Sequence, residues 1–269
     1  MKVSCLGPKE TYSALAAQKL CKGAEQLYCS SFAATLNLLL EGTADAAALP
    51  MENFIMGSVV QNLDLLAKTK NIMGVGECLM PIDHRLVTKG EIPYSQIKRV
   101  CSHVQGLSQC SEFISKNFPN AQLVYTCSTA ESLRLLDEQT AGIVGAHLSG
   151  REGLVLSKEN IADEKNNFTR FLLFVRGNTP PEHSEYVYFS AICRQEKAGA
   201  LCRLLEVFER HALNLTRIDS RPVRDHFGRY RFFIEFEGDI ANENVKEALK
   251  EAKLRTDEFT LLGAYERLK

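Results

Sequence analysis

Gly177-Asn178-Thr179-Pro180-Pro181-Glu182-His183-Ser184 divides this 269-residue chain into two parts that follow different orders of strand and helix. Adjacent prolines withhold backbone donors and push the residues before them towards extended backbone, while Gly, Asn and Ser favour solvated turns. The stretch reads as a linker over 178–184, between a first domain at 1–177 and a second at 185–269. Upstream, strand-like apolar runs at 2–6, 26–29, 45–49, 72–80, 97–101, 122–125, 142–146 and 170–175 alternate with helix-periodic stretches. The helices fall at 13–20, 33–40, 59–67, 106–117 and 129–136, and Leu107, Cys110, Phe113 and Ile114 recur at helical spacing. Alternation of this kind predicts an α/β sheet, with ligands at the carboxyl ends of strands where helices begin.

Downstream the order is strand 185–193, helix 199–211, strands 215–223 and 230–236, helix 245–252 and strand 259–265. A turn at Asp225-His226-Phe227-Gly228 joins the middle strands. This β-α-β-β-α-β order is the α+β ferredoxin-like pattern, which by itself names no function.

Composition excludes several classes. Lys and Arg number 32 against 33 Asp and Glu, so the chain lacks the basic excess of a nucleic-acid binder. No apolar run reaches the ~18 residues of a membrane span. The N-terminal apolar stretch breaks at Gly7-Pro8 before it forms a signal-peptide core, so a cytoplasmic protein is expected. The nine cysteines are scattered without a C-x-x-C pair, which reads as small core residues rather than a disulfide or metal framework.

Strand ends followed by hydroxyl residues recur in the first domain. Ser102-His103-Val104-Gln105, Ser128-Thr129-Ala130-Glu131 and Ser58-Val59-Val60-Gln61 each fit a capping box, and Thr11 or Ser13 can cap the first helix. Converging helix starts offer N–H groups and partial positive charge to a small dicarboxylate; the plainer reading is capping alone. Gln109 lies one turn beyond Gln105, on a cleft wall or on solvated surface. Thr169-Arg170-Phe171 precedes a buried run and places a hydroxyl and a guanidinium either at a cleft or at a strand edge. Glu52, beside Asn53 after Ala48-Leu49-Pro50, either serves a cleft or satisfies backbone donors in a turn. His84, His103 and His147 are isolated and read as structural. No Walker loop, G-x-G-x-x-G, H-E-x-x-H or G-x-S-x-G occurs.

In their order and spacing these motifs resemble the prephenate dehydratases over nearly the whole chain. The resemblance runs through Leu6-Gly7-Pro8, Thr11-Tyr12-Ser13, Pro50-Met51-Glu52-Asn53, Pro81-Ile82-Asp83-His84, the Ser102 and Ser128 boxes, Gln109-Cys110 and Asn167-Phe168-Thr169-Arg170-Phe171. Gly199-Ala200-Leu201 and Asp219-Ser220-Arg221-Pro222 resemble the two signatures of the regulatory ACT domain. The resemblance implies two α/β lobes of the periplasmic-binding-protein type with the active site between them, followed by an ACT domain. It implies that Thr169 is the key hydroxyl and that Glu52, Asn53, Ser102 and Gln109 share its cleft, with Thr11, Ser13, Thr129 and Arg170 nearby.

On this reading the helix starts at Ser102 and Ser128, with Arg170, hold the two carboxylates of prephenate. Thr169 relays a proton to the departing hydroxyl, with a buried neutral Glu52 as the other donor, and neither metal nor cofactor takes part. Phenylalanine is expected to bind between subunits of a homodimer or homotetramer, at Gly199, Ala200, Leu201, Asn214, Leu215, Ser220 and Arg221, and to inhibit. The length fits the form without a chorismate mutase domain. Glu10 and Phe54 stand where the family usually has Gly and Ser, Val104 and Ala198 where Pro is usual, and Asp219 where Glu is usual. An arogenate dehydratase, a non-aromatising prephenate decarboxylase and a non-catalytic amino-acid sensor are the competing readings.

Overall fold

The first lobe begins with β1 (Lys2–Leu6), α1 (Tyr12–Leu20), β2 (Glu25–Cys29), α2 (Phe32–Glu41), β3 (Ala46–Asn53), β4 (Gly57–Ser58), α3 (Val60–Leu66) and β5 (Ile72–Pro81). These come from a computed structural model that describes all residues except Gln195, Glu196, Lys197, Arg224, Asp225, Phe227, Lys269 and the side chain of Ala130. Two of the four residues of the expected 225–228 turn thus lie outside the described residues. The capping logic holds at α1, where Ala14 N donates to Thr11 Oγ1 at 3.2 Å, and at α2, where Ala34 N donates to Ser31 Oγ at 3.1 Å.

The second lobe holds β6 (His84–Lys89), β7 (Arg99–Ser102), α4 (Val104–Ser108), α5 (Ser111–Asn117), β8 (Gln122–Tyr125), β9 (Thr140–Gly145) and β10 (Leu154–Leu156). Its sheet runs β10-β6-β9-β7-β8. The chain then returns as β11 (Phe168–Arg176), antiparallel to both β3 and β5. The two passages between lobes run side by side: Ile82 N donates to Asn167 O, and Ile161 N to His84 O, each at 2.8 Å.

After the linker come β12 (Tyr186–Cys193), α6 (Ala200–Arg210), β13 (Leu215–Pro222), β14 (Tyr230–Glu237), α7 (Glu243–Leu254), β15 (Thr256–Tyr265) and β16 (Arg267–Leu268). On α6, Leu204, Val207 and Phe208 form the buried stripe, and the Phe208 ring stacks on Phe189 at 5.5 Å.

The linker joins two parts that are welded together. The main sheet runs β13-β14-β12-β15-β5-β11-β3-β1-β2, with β16 also pairing on β5. Gly263 faces Gly74 at the junction, where a Cβ on Gly74 would lie 3.3 Å from the Leu262 carbonyl, so the close approach suits glycine. One apolar core takes Leu49, Met51, Leu172 and Phe174 from the first part and Tyr188, Phe233, Leu262 and Tyr265 from the second.

Several local expectations change. The helix expected at 106–117 breaks at Gln109-Cys110 into α4 and α5, and the one at 129–136 is a 3-10 turn, Ala130–Leu135. The short strands β4, β6 and β10 were not anticipated, because their few residues show no decisive periodicity. Of the three capping boxes, the one at Ser128 forms in part: Glu131 N donates to Ser128 Oγ at 3.1 Å, while the Glu131 carboxylate accepts from Cys127 N, one residue before the cap, at 2.8 Å. Ser102 instead belongs to β7, and His103 caps α4. Ser58 turns its hydroxyl to Asp219.

Candidate active site

The end of β3 and the start of β11 meet where the chain passes between lobes, and Asn53 lies opposite Thr169 in the ladder. Asn53 Nδ2 donates to Thr169 Oγ1 at 3.0 Å, to Asn167 Oδ1 at 2.8 Å and, more loosely, to Phe168 O at 3.3 Å. Its Oδ1 accepts from Ile55 N and Met56 N at 3.2 and 3.0 Å. Backbone N–H groups need an acceptor, so these bonds fix which way the amide points.

The network continues into the second lobe. Asn167 Nδ2 donates to Gln109 Oε1 at 3.4 Å, and His84 Nε2 lies 2.9 Å from the same oxygen. An amide oxygen only accepts, so His84 carries its proton on Nε2. Its Nδ1 is then a buried lone pair without a hydrogen-bond partner among the described residues, and burial lowers the His84 pKa below the ordinary histidine value. Thr169, Asn53, Asn167, Gln109 and His84 thus form one hydrogen-bonded line across the junction. The break between α4 and α5 places Gln109 at the C-cap of α4 rather than inside a continuous helix.

A second cross-lobe contact lies at Glu10. Its carbonyl accepts from His147 Nε2 at 2.8 Å, and its carboxylate pairs with Arg151. The Tyr12 hydroxyl donates to Asp83 O at 2.9 Å and its ring meets His147 edge-on at 5.1 Å. Burial pushes the Tyr12 hydroxyl up to about 12 and lowers His147, so the first is a proton donor and the second a neutral ring near pH 7. Glu10 has φ 70, a left-handed backbone that glycine takes freely and other residues do not. This gives a physical reason for the glycine usual in the family at this position.

Four of the expected site residues have side chains engaged with other parts of the chain. Arg170 follows Thr169 on β11, and alternation turns its side chain to the other face. There its guanidinium is buried, with Nε on Glu77 at 2.6 Å, Nη2 on Tyr265 at 2.8 Å and a further bond to Glu235. Its Nη1 lies 3.8 Å from Glu52. Glu52 lies on that same face, 3.5 Å from Arg217 and 3.8 Å from Arg170, with its side chain one-third exposed. It thus faces two guanidinium groups on the side of the sheet away from the Thr169 hydroxyl. Thr11 donates its hydroxyl proton to Leu6 O, and Ser102 donates to Ile143 O at 2.7 Å. Both hydroxyls shape the wall and have no proton left to give an anionic ligand.

Ser13 is buried on α1. Thr129 stands against α4: a Cβ on Gly106 would lie 3.3 Å from its methyl and 2.6 Å from Ser102 Oγ. His84, Asn167 and His147, which take part in the contacts across the two lobes, were not among the expected site residues. The available signal was position, since His84 and Asn167 flank the two passages between lobes.

In the second part, Gly199, Ala200 and Leu201 line a cavity of about 270 Å³ together with Tyr230 and Phe232. Ser220 pairs with Phe232 in the neighbouring strand. Arg221 makes a two-pronged ion pair with Asp64 of α3 at 2.9 and 3.1 Å, and Asn214 donates to Glu237 at 3.3 Å. Asn214, Leu215, Ser220 and Arg221 do not line that cavity. Among the described residues no cluster of His, Cys, Asp and Glu is placed to hold a metal ion, and no helix is long and apolar enough to cross a membrane.

Residues 3–179 match the prephenate dehydratase family and residues 188–253 match the ACT domain. A prephenate dehydratase of Methanocaldococcus jannaschii is 34% identical over 266 residues, covering 96% of this chain and 95% of that protein. A bifunctional chorismate mutase/prephenate dehydratase of Aquifex aeolicus is 33% identical over 270 residues, covering 98% of this chain and 73% of its own length. The crystal structure of a prephenate dehydratase from Arthrobacter aurescens in complex with L-Phe has a TM-score of 0.89 at 30% identity, covering 99% of this chain and 90% of that one. The family match covers well over half of the chain and includes the Asn53–Thr169 junction, so this chain belongs to the prephenate dehydratase family and carries an ACT domain after the two-lobed one.

Proposed function

We propose that this chain is a cytoplasmic enzyme that converts prephenate to phenylpyruvate, carbon dioxide and water, and that phenylalanine inhibits it through the ACT domain. In the reaction the bond from the ring to its carboxylate breaks and the electron pair enters the ring. The ring hydroxyl leaves and takes up a proton as water. Aromatisation drives the step, so the enzyme has to orient the substrate and assist the leaving group.

The observation that carries this reading is the bond from Asn53 Nδ2 to Thr169 Oγ1. It occupies a lone pair of the hydroxyl and leaves the O–H free to point elsewhere, and among the described residues that O–H finds no acceptor. Thr169 then donates to the departing oxygen as charge develops there, a contact that matters most in the transition state. A threonine hydroxyl is a weak acid, so its role is to orient and relay a proton. Asn167 holds Asn53 and is itself held by Gln109, which meets His84, on the second-lobe side, and this makes the hydroxyl's aim depend on both lobes. With Arg170, Thr11 and Ser102 engaged elsewhere, Ser13 and Thr129 are the proposed donors to the carboxylates.

For regulation, we place phenylalanine in the cavity at Gly199, Ala200 and Leu201. Asn214, Leu215 and Ser220 of a second copy complete the site, which makes a homodimer the smallest regulated form.

The direct test is a prephenate turnover assay with and without phenylalanine, repeated on arogenate and accompanied by light scattering. Phenylpyruvate formation that phenylalanine suppresses in a dimer or larger species supports the reading. Faster turnover of arogenate shifts the substrate, and saturable phenylalanine binding without turnover makes the chain a sensor. Thr169→Ala should lower kcat by about 10²-fold or more with little change in KM. Near-normal turnover in the folded variant refutes the role of Thr169.

A further inference from the structure

We infer that Glu235 of the ACT domain is a positioning residue for Thr169 and acts through Arg170. This deepens the reading of Thr169 as the working hydroxyl and rests on it.

Thr169 and Arg170 are neighbours on β11, so the backbone that aims the hydroxyl is the backbone that carries the guanidinium. On the β3 side the ladder that holds this stretch is irregular, while on the β5 side Thr169, Arg170 and Phe171 pair in register with Met80, Leu79 and Cys78. Arg170 pairs with Glu52 and Phe171 with Pro50, so the β11–β3 register slips between Arg170 and Phe171. A slip of this kind loosens regular pairing on that side, so side-chain ties add to the β5 ladder in setting the local direction.

Those ties come from the second domain. Arg170 Nη2 meets Glu235 on β14 and donates to Tyr265 on β15 at 2.8 Å, and the Tyr265 hydroxyl donates to the same Glu235 oxygen. The other oxygen of Glu235 accepts from Thr216 Oγ1 of β13 at 2.7 Å. Burial raises the Tyr265 hydroxyl well above the ordinary tyrosine value, so it remains a donor to Glu235. Arg170 is 4% exposed and Glu235 is 2% exposed, so water neither screens nor replaces the pair. Glu77 of β5 completes the hold from the first lobe. The guanidinium is thereby clamped between domains, one residue from Thr169.

The same clamp touches the strand expected to sense the effector. Arg217 of β13 lies opposite Glu235 in the ladder, pairs with Asp219 and Glu52, and donates to Ser58 Oγ at 2.8 Å. A shift of β13 on ligand binding would therefore act on the groups that hold Arg170. Displacing a catalytic group by about 1 Å is enough to cost about 10²-fold in rate.

The test uses the full chain. Glu235→Gln keeps the shape and one acceptor oxygen but removes the charge; Tyr265→Phe removes the bridging hydroxyl and keeps the ring. Each should lower kcat by about 10-fold while KM changes less than about threefold, at a temperature where circular dichroism shows the variant folded. In the Thr169→Ala background the same substitutions should lower kcat no further, because the group they position is gone. Glu235→Asp should recover part of the rate. Unchanged kcat in both single variants, or an equal loss with and without Thr169, overturns the inference. A wild-type chain without turnover, or a fully active Thr169→Ala variant, instead overturns the underlying reading.

Discussion

Replacing Arg170 by methionine separates two accounts of this residue, a carboxylate binder and a buried structural cation. The guanidinium is 4% exposed, Glu77 0% and Glu235 2%, so the substitution leaves carboxylates where water cannot reach them. Glu77 keeps Arg267 as a partner, whereas Glu235 keeps the Tyr265 and Thr216 hydroxyls and loses its cation. Breaking a buried pair from one side costs about 3–5 kcal/mol. With an unfolding entropy of about 2.1 cal/mol/K per residue, a chain of 269 residues has about 0.56 kcal/mol/K, so Tm should fall by about 5–9 °C. Urea unfolding and a thermal melt measure the loss, and a prephenate titration gives KM. The expected outcome is a large loss of stability with KM within about threefold. Arg170→Met/Glu235→Gln should regain more than half of the lost stability, because no unpaired charge then remains on Glu235. A stability loss below about 1 kcal/mol together with a KM rise above about tenfold would refute the burial argument.

Burial lowers the His84 pKa, so the unfolded chain, titrating near ~6.5, takes up a proton before the folded one. Its contribution is complete above that pH and is lost as the pH falls below it, through the lowered folded-state value; His84→Gln should flatten the decline in urea-unfolding free energy, and an unchanged slope contradicts this. Glu10→Gly and Glu10→Ala both lose the Arg151 pair, but only glycine relieves φ 70. The glycine variant should be the more stable by about 1 kcal/mol in chemical unfolding, and the reverse order would show that no strain is held there. Gly106→Ala sets a Cβ 2.6 Å from Ser102 Oγ, which is itself bonded to Ile143 O, so α4 and Gln109 must shift. The expected cost is about 1–3 kcal/mol with reduced kcat/KM, read by unfolding and steady-state assays; a fully active, equally stable variant would show that the wall yields freely.

The strands at 2–6 and 122–125 were legible at their observed ends, and most helices within a residue or two, because burial imposes a period of 2 or 3.6 on nearby residues. The pairing of Asn53 with Thr169 was half legible, since both lie at strand ends beside the passage between lobes. The burial of Arg170 was not legible for a simple reason: strand alternation shows that it and Thr169 face opposite ways, but not which face is packed against the second domain. That choice was made by Glu235 and Tyr265, which lie 65 and 95 positions further along the chain. Gln109 was ambiguous between wall and surface until the break after α4 turned it towards His84. The linker was read from local proline and glycine chemistry, which reports solvation at 178–184 and says nothing about neighbours in space. Sequence by itself therefore determined the α/β and ferredoxin-like orders and the motif residues, since these follow from short-range periodicity and side-chain type. The joined sheet, the shared core and the buried Arg170 cluster were decided by tertiary structure, because each needs contacts between segments far apart in the chain.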